Sequence, residues 1–109
     1  MAKNLKYAAL LDIYENMLTD KQRNILDLYY NEDLSLAEIS ENLGISRQGA
    51  MDMIHRAEAQ IDSMDSKLNL SAIFDNIDSA CEMLKELSDK SDSKDLKLEL
   101  NLILNKLAR

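Results

Sequence analysis

Apolar residues recur at intervals of three and four along most of the chain, a spacing that places them on one face of an α-helix. Short polar stretches interrupt this pattern and predict the connections between helices. The predicted helices cover residues 3–18, 20–30, 36–43, 47–68 and 71–88, followed after a polar stretch at 89–95 by a segment at 96–107.

The apolar positions within each segment predict which side chains face the core. In the first three helices these are Tyr7, Leu10, Leu11, Tyr14, Met17 and Leu18, then Ile25, Leu28 and Tyr29, then Leu36, Ile39 and Leu43. In the fourth and fifth helices they are Ala50, Ile54, Ala57, Ile61, Met64 and Leu68, then Ile73, Ile77, Ala80, Leu84 and Leu87.

The last segment fits two patterns. Its leucines alternate with polar residues as in a strand at Leu96, Leu98, Leu100, Leu102 and Leu104, but a heptad also fits at Leu96, Leu100, Ile103 and Leu107. Helix is favoured because Leu, Lys, Glu and Asn are not β-branched and no partner strand is available. Since the segment is apolar on several sides, more than one neighbour must cover it. We therefore expect a homodimer that pairs through this region.

Capping residues mark where the helices begin and end. Thr19 is expected to cap the second helix. Ser35 and Glu38 form the Ser-x-x-Glu pattern of a capping box before the third helix. Gly44 directly follows that helix, where a left-handed residue ends a helix without a Cβ penalty. Ser46 is expected to cap the long fourth helix.

The segment 34–57 therefore predicts a helix-turn-helix: a short helix, a turn at Gly44 and a capped second helix. Ile45 and Ala50 are expected to fill the wedge between the helices. The outward positions of the second helix are Arg47, Gln48, Met51, Asp52, His55 and Arg56. Arg pairs bidentately with guanine and Gln with adenine in the major groove of DNA, so Arg47 and Gln48 are candidates to contact base edges.

Composition supports an all-α fold, because the chain has no proline, no valine, two glycines, one threonine and one phenylalanine in its 109 residues. The fold class we predict is a helix-turn-helix bundle without a wing, extended at its C-terminus by further helices. We expect the helix-turn-helix domain at residues 1–66 and the helical extension, a candidate dimerisation element, at 67–109.

The same composition suggests a soluble, cytoplasmic protein. No apolar run approaches the roughly 20 residues that a membrane span needs, so no membrane partner is expected. The first residues do not resemble a signal peptide, because Asp12 and Glu15 interrupt their apolar pattern. The single cysteine, Cys81, has no partner for an intrachain disulfide, as is usual in a reducing compartment.

Residues 18–61 resemble the fourth region of bacterial sigma factors, which contacts promoter DNA. The likeness rests on Thr19-Asp20-Lys21-Gln22-Arg23, the pair Tyr29-Tyr30, Leu36-Ala37-Glu38-Ile39-Ser40, Gly44-Ile45-Ser46 and His55-Arg56-Ala57. The resemblance implies a helix-turn-helix whose second helix contacts DNA.

The chain is also similar to the small YlxM-type helix-turn-helix proteins. This likeness rests on the Tyr-x-x-x-Leu-Thr-x-Lys-Gln-Arg run at 14–23, on Ile45-Ser46-Arg47-Gln48, and on Lys67, Leu68, Leu70 and Phe74 in the tail. Genes of that family lie beside those of the signal recognition particle protein and its receptor in many Gram-positive bacteria and mycoplasmas. The resemblance implies a regulatory role in that pathway, with the particle's protein or RNA as a candidate partner.

Charge opposes tight DNA binding. Residues 1–66 carry six lysines and arginines against twelve aspartates and glutamates, a net charge of −6. Asp52, Glu58 and Asp62 are expected to offset Arg47 and Arg56, so a monomer should bind DNA weakly, and a dimer with two half-sites would recover affinity.

Phosphate contacts are expected from three further cations, Lys21, Arg23 and Arg56. For each of them a surface ion pair is the alternative. Arg56 would pair with Asp52 or Glu58, and Lys21 and Arg23 with Glu41 or Asp20.

The remaining candidate residues do not indicate an enzyme. His55 is the only histidine, so it cannot join a histidine-based metal site or a catalytic triad, and we expect no cofactor. Cys81 is expected to be a small core residue, as are Met17, Met64 and Met83 among the methionines. Met51 is the methionine expected to contact a partner.

Two functions remain open. The first is a DNA-binding regulator that uses the second helix of the motif. The second is a protein-interaction module that keeps the same shape and binds a signal recognition particle component or another protein without nucleic acid. Salt-dependent retention of DNA or RNA separates them, because only the first requires it.

Overall fold

The computed structural model describes residues 3–108, which form six α-helices and no strand within that range. The helices are α1 (Leu5–Tyr14), α2 (Asp20–Leu26), α3 (Leu36–Leu43), α4 (Arg47–Leu68), α5 (Leu70–Lys90) and α6 (Lys94–Leu107). The chain divides into two compact units between Leu70 and Ser71. The all-α prediction is confirmed. Ser66, where we expected the first domain to end, lies inside α4.

Helix α1 is shorter than predicted. Asn4 caps its start by accepting a hydrogen bond from the Lys6 backbone N–H. After Tyr14 the chain tightens into a 3₁₀ turn at Glu15–Met17. The tighter turn leaves Met17 53% exposed, while Leu18 returns to the core at 7% exposure. The prediction that Met17 faces the core was therefore wrong.

Helix α2 begins as predicted, with Thr19 and Gln22 forming a capping box. It continues into a π-helical turn at Asp27–Asn31 instead of ending in regular α geometry. A π turn holds an extra residue and shifts the faces of the helix. In this turn Leu28 is buried, and the consecutive Tyr29 and Tyr30 are both half-buried.

The helix-turn-helix forms as the capping pattern predicts. The reciprocal hydrogen bonds of Ser35 and Glu38 open α3. Gly44 ends it in the left-handed conformation, with φ 67° and ψ 34°. Ile45 packs partly buried against the core, and Ser46 caps α4 by accepting from the Gly49 N–H at 3.0 Å.

Helix α4 is the central element of the first unit and packs against α1, α2 and α3. Its predicted inward residues Ala50, Ile54, Ala57 and Ile61 are all buried. The small side chains of the two alanines let neighbouring helices approach α4 closely. The predicted apolar face is less buried towards the C-terminal end of α4. Met64 is half-buried and Leu68 is 44% exposed, so Leu68 is not a core residue.

The second unit consists of α5 and α6. In α5 the less exposed positions are Phe74, Ile77, Cys81, Leu84 and Ser88. The predicted stripe was therefore wrong at Ile73, Ala80 and Leu87, which are exposed. Ile77 and Leu84 are less exposed, as predicted, and at the other three positions the less exposed residue is the next one along the helix, ending on the buried Ser88.

Helix α6 confirms the helical interpretation of the last segment. Ser93 caps it by accepting from the Leu96 N–H. Leu100 is the one described hydrophobic side chain of this unit that is fully buried. Leu96 and Ile103, which the heptad places inward, are 38% and 45% exposed.

A candidate nucleic-acid interface

The first turns of α4 present polar side chains to solvent. Arg47, Gln48, Asp52, His55 and Arg56 are all exposed, as the helical spacing predicts. The core residues Ala50 and Ile54 lie on the opposite face, so this polar surface is available to a partner. Met51 differs from expectation because it is half-buried and presents only part of its side chain.

Two of these side chains are bonded to each other. The Gln48 Nε2 donates a hydrogen bond of 3.0 Å to the Asp52 Oδ1, one helical turn later. Sequence reasoning expected Asp52 only to offset nearby positive charge. The bond additionally orients the Gln48 amide and leaves its carbonyl oxygen and the second Asp52 oxygen as acceptors.

Arg47 lies at a cleft of about 480 Å³ formed with the N-terminal half of α3. The cleft is lined by Lys3, Tyr29, Asp33, Ser35, Leu36, Ala37, Glu38 and Arg47. Among the described residues Arg47 has no ion pair. Its guanidinium therefore keeps its donors for an outside group.

Lys3 builds one wall of this cleft and was not singled out from the sequence. Its ammonium group donates to the Tyr29 carbonyl oxygen and, at 2.7 Å, to the Leu34 carbonyl oxygen. It lies 3.1 Å from Asp33 and 4.1 Å from the centroid of the Tyr29 ring. A cation that satisfies carbonyls at a helix end is stabilising there, so Lys3 fixes the connection from the π turn to α3.

The basic residues expected to contact phosphates differ in whether they form an ion pair. Arg23 is paired with Asp20 at 2.8 Å, as the surface-pair alternative predicts. Lys21 has no such pair among the described side chains and lines a separate cleft of about 250 Å³ with Asn24, Leu43, Ile45 and Met53. For Arg56, the ion pair predicted with Asp52 or Glu58 does not form within residues 3–108.

Three acidic residues of α4 are hydrogen-bonded to other parts of the first unit. Each accepts a hydrogen bond from a tyrosine hydroxyl: Glu58 from Tyr30, Asp62 from Tyr7 at 2.6 Å, and Asp65 from Tyr14 at 2.6 Å. Lys6 adds an ion pair with Asp62 at 3.2 Å. Glu58 therefore contacts the π turn and Asp62 contacts α1, and both keep their negative charge on α4.

The tyrosine hydroxyls are held in their neutral form. The hydrogen bond to Asp62, followed by burial, raises the pKa of Tyr7 to about 12. Burial first, and then the bonds to Asp65 and Glu58, raise the pKa values of Tyr14 and Tyr30. In the sequence, the spacings of four and three between Glu58, Asp62 and Asp65 place them on one face of a helix. No sequence pattern near them indicates that their partners are tyrosines.

The other candidate residues form no reactive cluster in the described part of the chain. No three His, Cys, Asp or Glu side chains there are arranged to hold a metal ion. Cys81 is a half-buried free thiol. Met83 is 69% exposed, so the prediction of a core role for it was wrong, whereas Met64 packs against the core. Among residues 3–108, no helix is long and apolar enough to span a membrane.

The structure thus brings some predicted residues together and separates others. Gln48, Asp52, His55 and Arg56 share the exposed surface of α4, with Arg47 at its start beside α3. Lys21 and Arg23 lie on α2, and the cleft that Lys21 lines includes Leu43 at the C-terminal end of α3, whereas Arg47 lines the cleft at the N-terminal half of α3.

Comparison with known proteins agrees with this architecture. Residues 1–103 match the family described as "Putative helix-turn-helix protein, YlxM / p13 like". A UPF0122 protein of Clostridium kluyveri is 46% identical over 93 residues, which cover 85% of this chain and 81% of that protein. A UPF0122 protein of Halalkalibacterium halodurans is 39% identical over 105 residues, 96% and 94% of the two chains. One from Acetivibrio thermocellus is 48% identical over 88 residues, 80% and 75% of the two chains. The chain therefore belongs to the YlxM / p13-like family of helix-turn-helix proteins.

Proposed function

We propose that the protein is a DNA-binding regulator that inserts the first turns of α4 into the major groove. The observation that carries the proposal is the exposure of Arg47, Gln48, Asp52, His55 and Arg56 on one surface, opposite a buried apolar face. An α-helix fits the major groove of B-DNA, and in this motif the N-terminal residues of the second helix contact the base edges.

The distribution of charge limits how tightly one copy of this surface can bind DNA. Glu58 and Asp62 accept hydrogen bonds from Tyr30 and Tyr7, which leave the carboxylates negatively charged. The ion pair between Lys6 and Asp62 is already counted in the net charge of −6 over residues 1–66. Repulsion from the phosphate backbone therefore persists, and binding is expected to be strongest at low salt.

The Gln48–Asp52 pair indicates which base edges suit the surface. With its Nε2 bonded to Asp52, Gln48 presents its carbonyl oxygen, and Asp52 has a second oxygen free to accept. Acceptors in the major groove pair with the amino groups of adenine and cytosine. Arg47 supplies the complementary donors, which suit guanine.

Phosphate contacts are assigned to Lys21 and Arg56, with a smaller share for Arg23 because Asp20 already binds it. Few cations make a single copy a weak DNA binder. We propose that two copies act together, so that two half-sites add their contacts. The place of this regulator in the signal recognition particle pathway rests on the family resemblance alone.

A second function is favoured by a different observation. Large apolar side chains are exposed on α5 and α6, among them Met83, Leu98 and Leu102 at 69%, 64% and 64%. Such exposure is typical of protein-binding surfaces. A protein-interaction module that contacts a signal recognition particle component through these helices would need no DNA.

The replacement Arg47→Ala tests the first function. We expect the natural protein to enrich a defined sequence from random duplexes at low salt, and Arg47→Ala to abolish that preference. The reason is that one bidentate Arg–guanine pair carries about 1–3 kcal/mol of base discrimination. Selection followed by footprinting measures the effect.

The matched control is Lys97→Ala, which removes one positive charge from an exposed position of α6. It should leave the selected sequence unchanged. If neither duplex DNA nor RNA is retained at low salt, the DNA-binding proposal is wrong and the protein-interaction function takes its place.

A further inference from the structure

The cleft beside Arg47 contains two acidic side chains, Asp33 and Glu38, that line it together with the arginine. Both are exposed, and opposite charges in one cleft of about 480 Å³ attract each other. Arg47 nevertheless has no ion pair among the described residues. The contacts of the two carboxylates explain why the guanidinium stays free.

Asp33 is already paired with Lys3. The Lys3 ammonium lies 3.1 Å from the Asp33 Oδ1, and the Lys3 side chain is 17% exposed whereas that of Asp33 is 85% exposed. The same ammonium donates to the carbonyl oxygens of Tyr29 and Leu34 and lies 4.1 Å from the centroid of the Tyr29 ring. These contacts fix its position, so the pair with Asp33 costs less side-chain entropy than a pair of two mobile side chains.

Glu38 is engaged at the start of α3. The Ser35 backbone N–H donates to the Glu38 Oε1 at 3.1 Å as part of the capping box. The bonds from Ser35 lower the pKa of Glu38, and the positive charge of Lys3 adds to that effect. Asp33 is thus the carboxylate of the cleft whose ion pair depends on Lys3.

We infer that Lys3 is a positioning residue of the DNA-binding surface: it holds Asp33 and thereby keeps the Arg47 guanidinium free for a base edge. The inference rests on the proposed function and adds to it a residue that precedes α1. Without the Lys3 charge, Asp33 pairs with Arg47 across the cleft. A carboxylate that binds the guanidinium takes up the same donors that a guanine needs.

Lys3→Met in the full-length chain is the first test, because methionine keeps a long side chain and removes the charge. The affinity ratio between the selected and a scrambled duplex should fall about fivefold or more, the scale of one Arg–guanine contact. Binding isotherms at low salt measure this ratio. An unchanged ratio overturns the inference.

Lys6→Met is the matched control. It removes the same single charge from α1, together with an ion pair of 3.2 Å to Asp62 on α4. Both variants should bind every duplex more weakly, since each has lost one positive charge. Lys6→Met should keep the affinity ratio of the natural protein. An equal loss of the ratio in the two variants overturns the inference.

Adding Asp33→Asn to Lys3→Met separates the capture of Arg47 from a loosened fold. Asp33 has a positive φ of 54°, a conformation that Asn also tolerates, so the replacement removes the charge without new backbone strain. The double variant should recover the affinity ratio, because no free carboxylate at position 33 remains to bind Arg47. If the ratio stays low, Lys3 acts only through the fold and the inference is overturned.

Nitrogen-15 NMR of the Arg47 side chain tests the capture without DNA. Rotation about the Nε–Cζ bond should be fast in the natural protein, slow in Lys3→Met, and fast again in the double variant, because a bidentate pair with a carboxylate restrains the guanidinium. A guanidinium that stays mobile in Lys3→Met overturns the inference. If Arg47 is restrained in Lys3→Met but the natural protein retains no duplex, the proposed function fails while the role of Lys3 towards Asp33 and Arg47 is supported.

Discussion

Asp52 shows how a single contact changes the meaning of a residue. From the sequence it is a negative charge on the surface proposed to contact DNA. In the structure it accepts a hydrogen bond from Gln48, one turn earlier, and so fixes the direction of an amide that is a candidate for base contact. The negative charge of Asp52 opposes DNA binding, whereas its bond to Gln48 favours a defined base contact. A replacement of Asp52 separates these two effects.

Asp52→Asn is expected to strengthen DNA binding and to weaken base preference. Affinity rises because one negative charge near the phosphates is removed. Preference weakens because an amide at position 52 both donates and accepts, so it no longer favours adenine and cytosine amino groups. Binding isotherms against the selected and a scrambled duplex measure both effects.

The matched control is Glu41→Gln, which removes one negative charge from an exposed position of α3. It should raise the affinity for both duplexes alike. Unchanged affinity of Asp52→Asn for every duplex would mean that this surface does not contact DNA.

Among the elements, the helices with capping sequences were the most predictable. The bounds of α3 and α4 agree with the sequence prediction because Ser35, Gly44 and Ser46 act on backbone groups within a few residues. The π turn after α2 and the 3₁₀ turn after α1 were not predicted. Both depend on how Leu28 and Leu18 reach the shared core, which involves residues distant in sequence.

The turn between α3 and α4 depends on Gly44. An added Cβ there meets no atom within 4 Å, so any cost of a larger residue comes from its positive φ of 67°. We expect Gly44→Ala to lower the free energy of unfolding by about 1 kcal/mol. Gly44→Asn should lower it less, because Asn tolerates the left-handed region. Urea unfolding compares the two, and an equal loss for both would contradict the conformational explanation.

At the scale of the whole molecule, the first unit is tied together by tyrosines and carboxylates. Tyr7, Tyr14 and Tyr30 donate to three acidic residues of α4 that lie 28 to 55 positions away in the sequence. The bonds hold α1 and the π turn against α4. They also couple stability to alkaline pH.

The pKa of Tyr7, raised from 10.0 to about 12, makes the folded protein sensitive to base. Below pH 10 the hydroxyl is protonated in both states and its contribution is complete. As the pH rises from 10 towards 12, the unfolded chain loses this proton first, so stability falls. Tyr7→Phe should show a shallower fall in melting temperature across this range.

Tyr29→Phe serves as the comparison, because it removes a hydroxyl for which the described hydrogen bonds give no carboxylate partner. It should retain the steeper fall of the natural protein. With no tryptophan in the chain, tyrosinate absorbance follows ionisation directly. If melting temperature falls equally steeply with pH in the natural protein and in Tyr7→Phe, Tyr7 does not cause the loss of stability.

The sequence alone determined the all-α class, the helix-turn-helix and most helix ends, because caps, turns and apolar spacing act over three or four residues. It also predicted that Arg47, Gln48, Asp52, His55 and Arg56 of α4 are exposed, whereas Met51 and Leu68 differ from the prediction. Only the tertiary structure decided that Glu58 and Asp62 bond to tyrosines, that Lys3 closes the connection to α3, and which face of α5 stays uncovered. Those outcomes depend on side chains that folding brings together from distant positions, and helical periodicity carries no information about such partners.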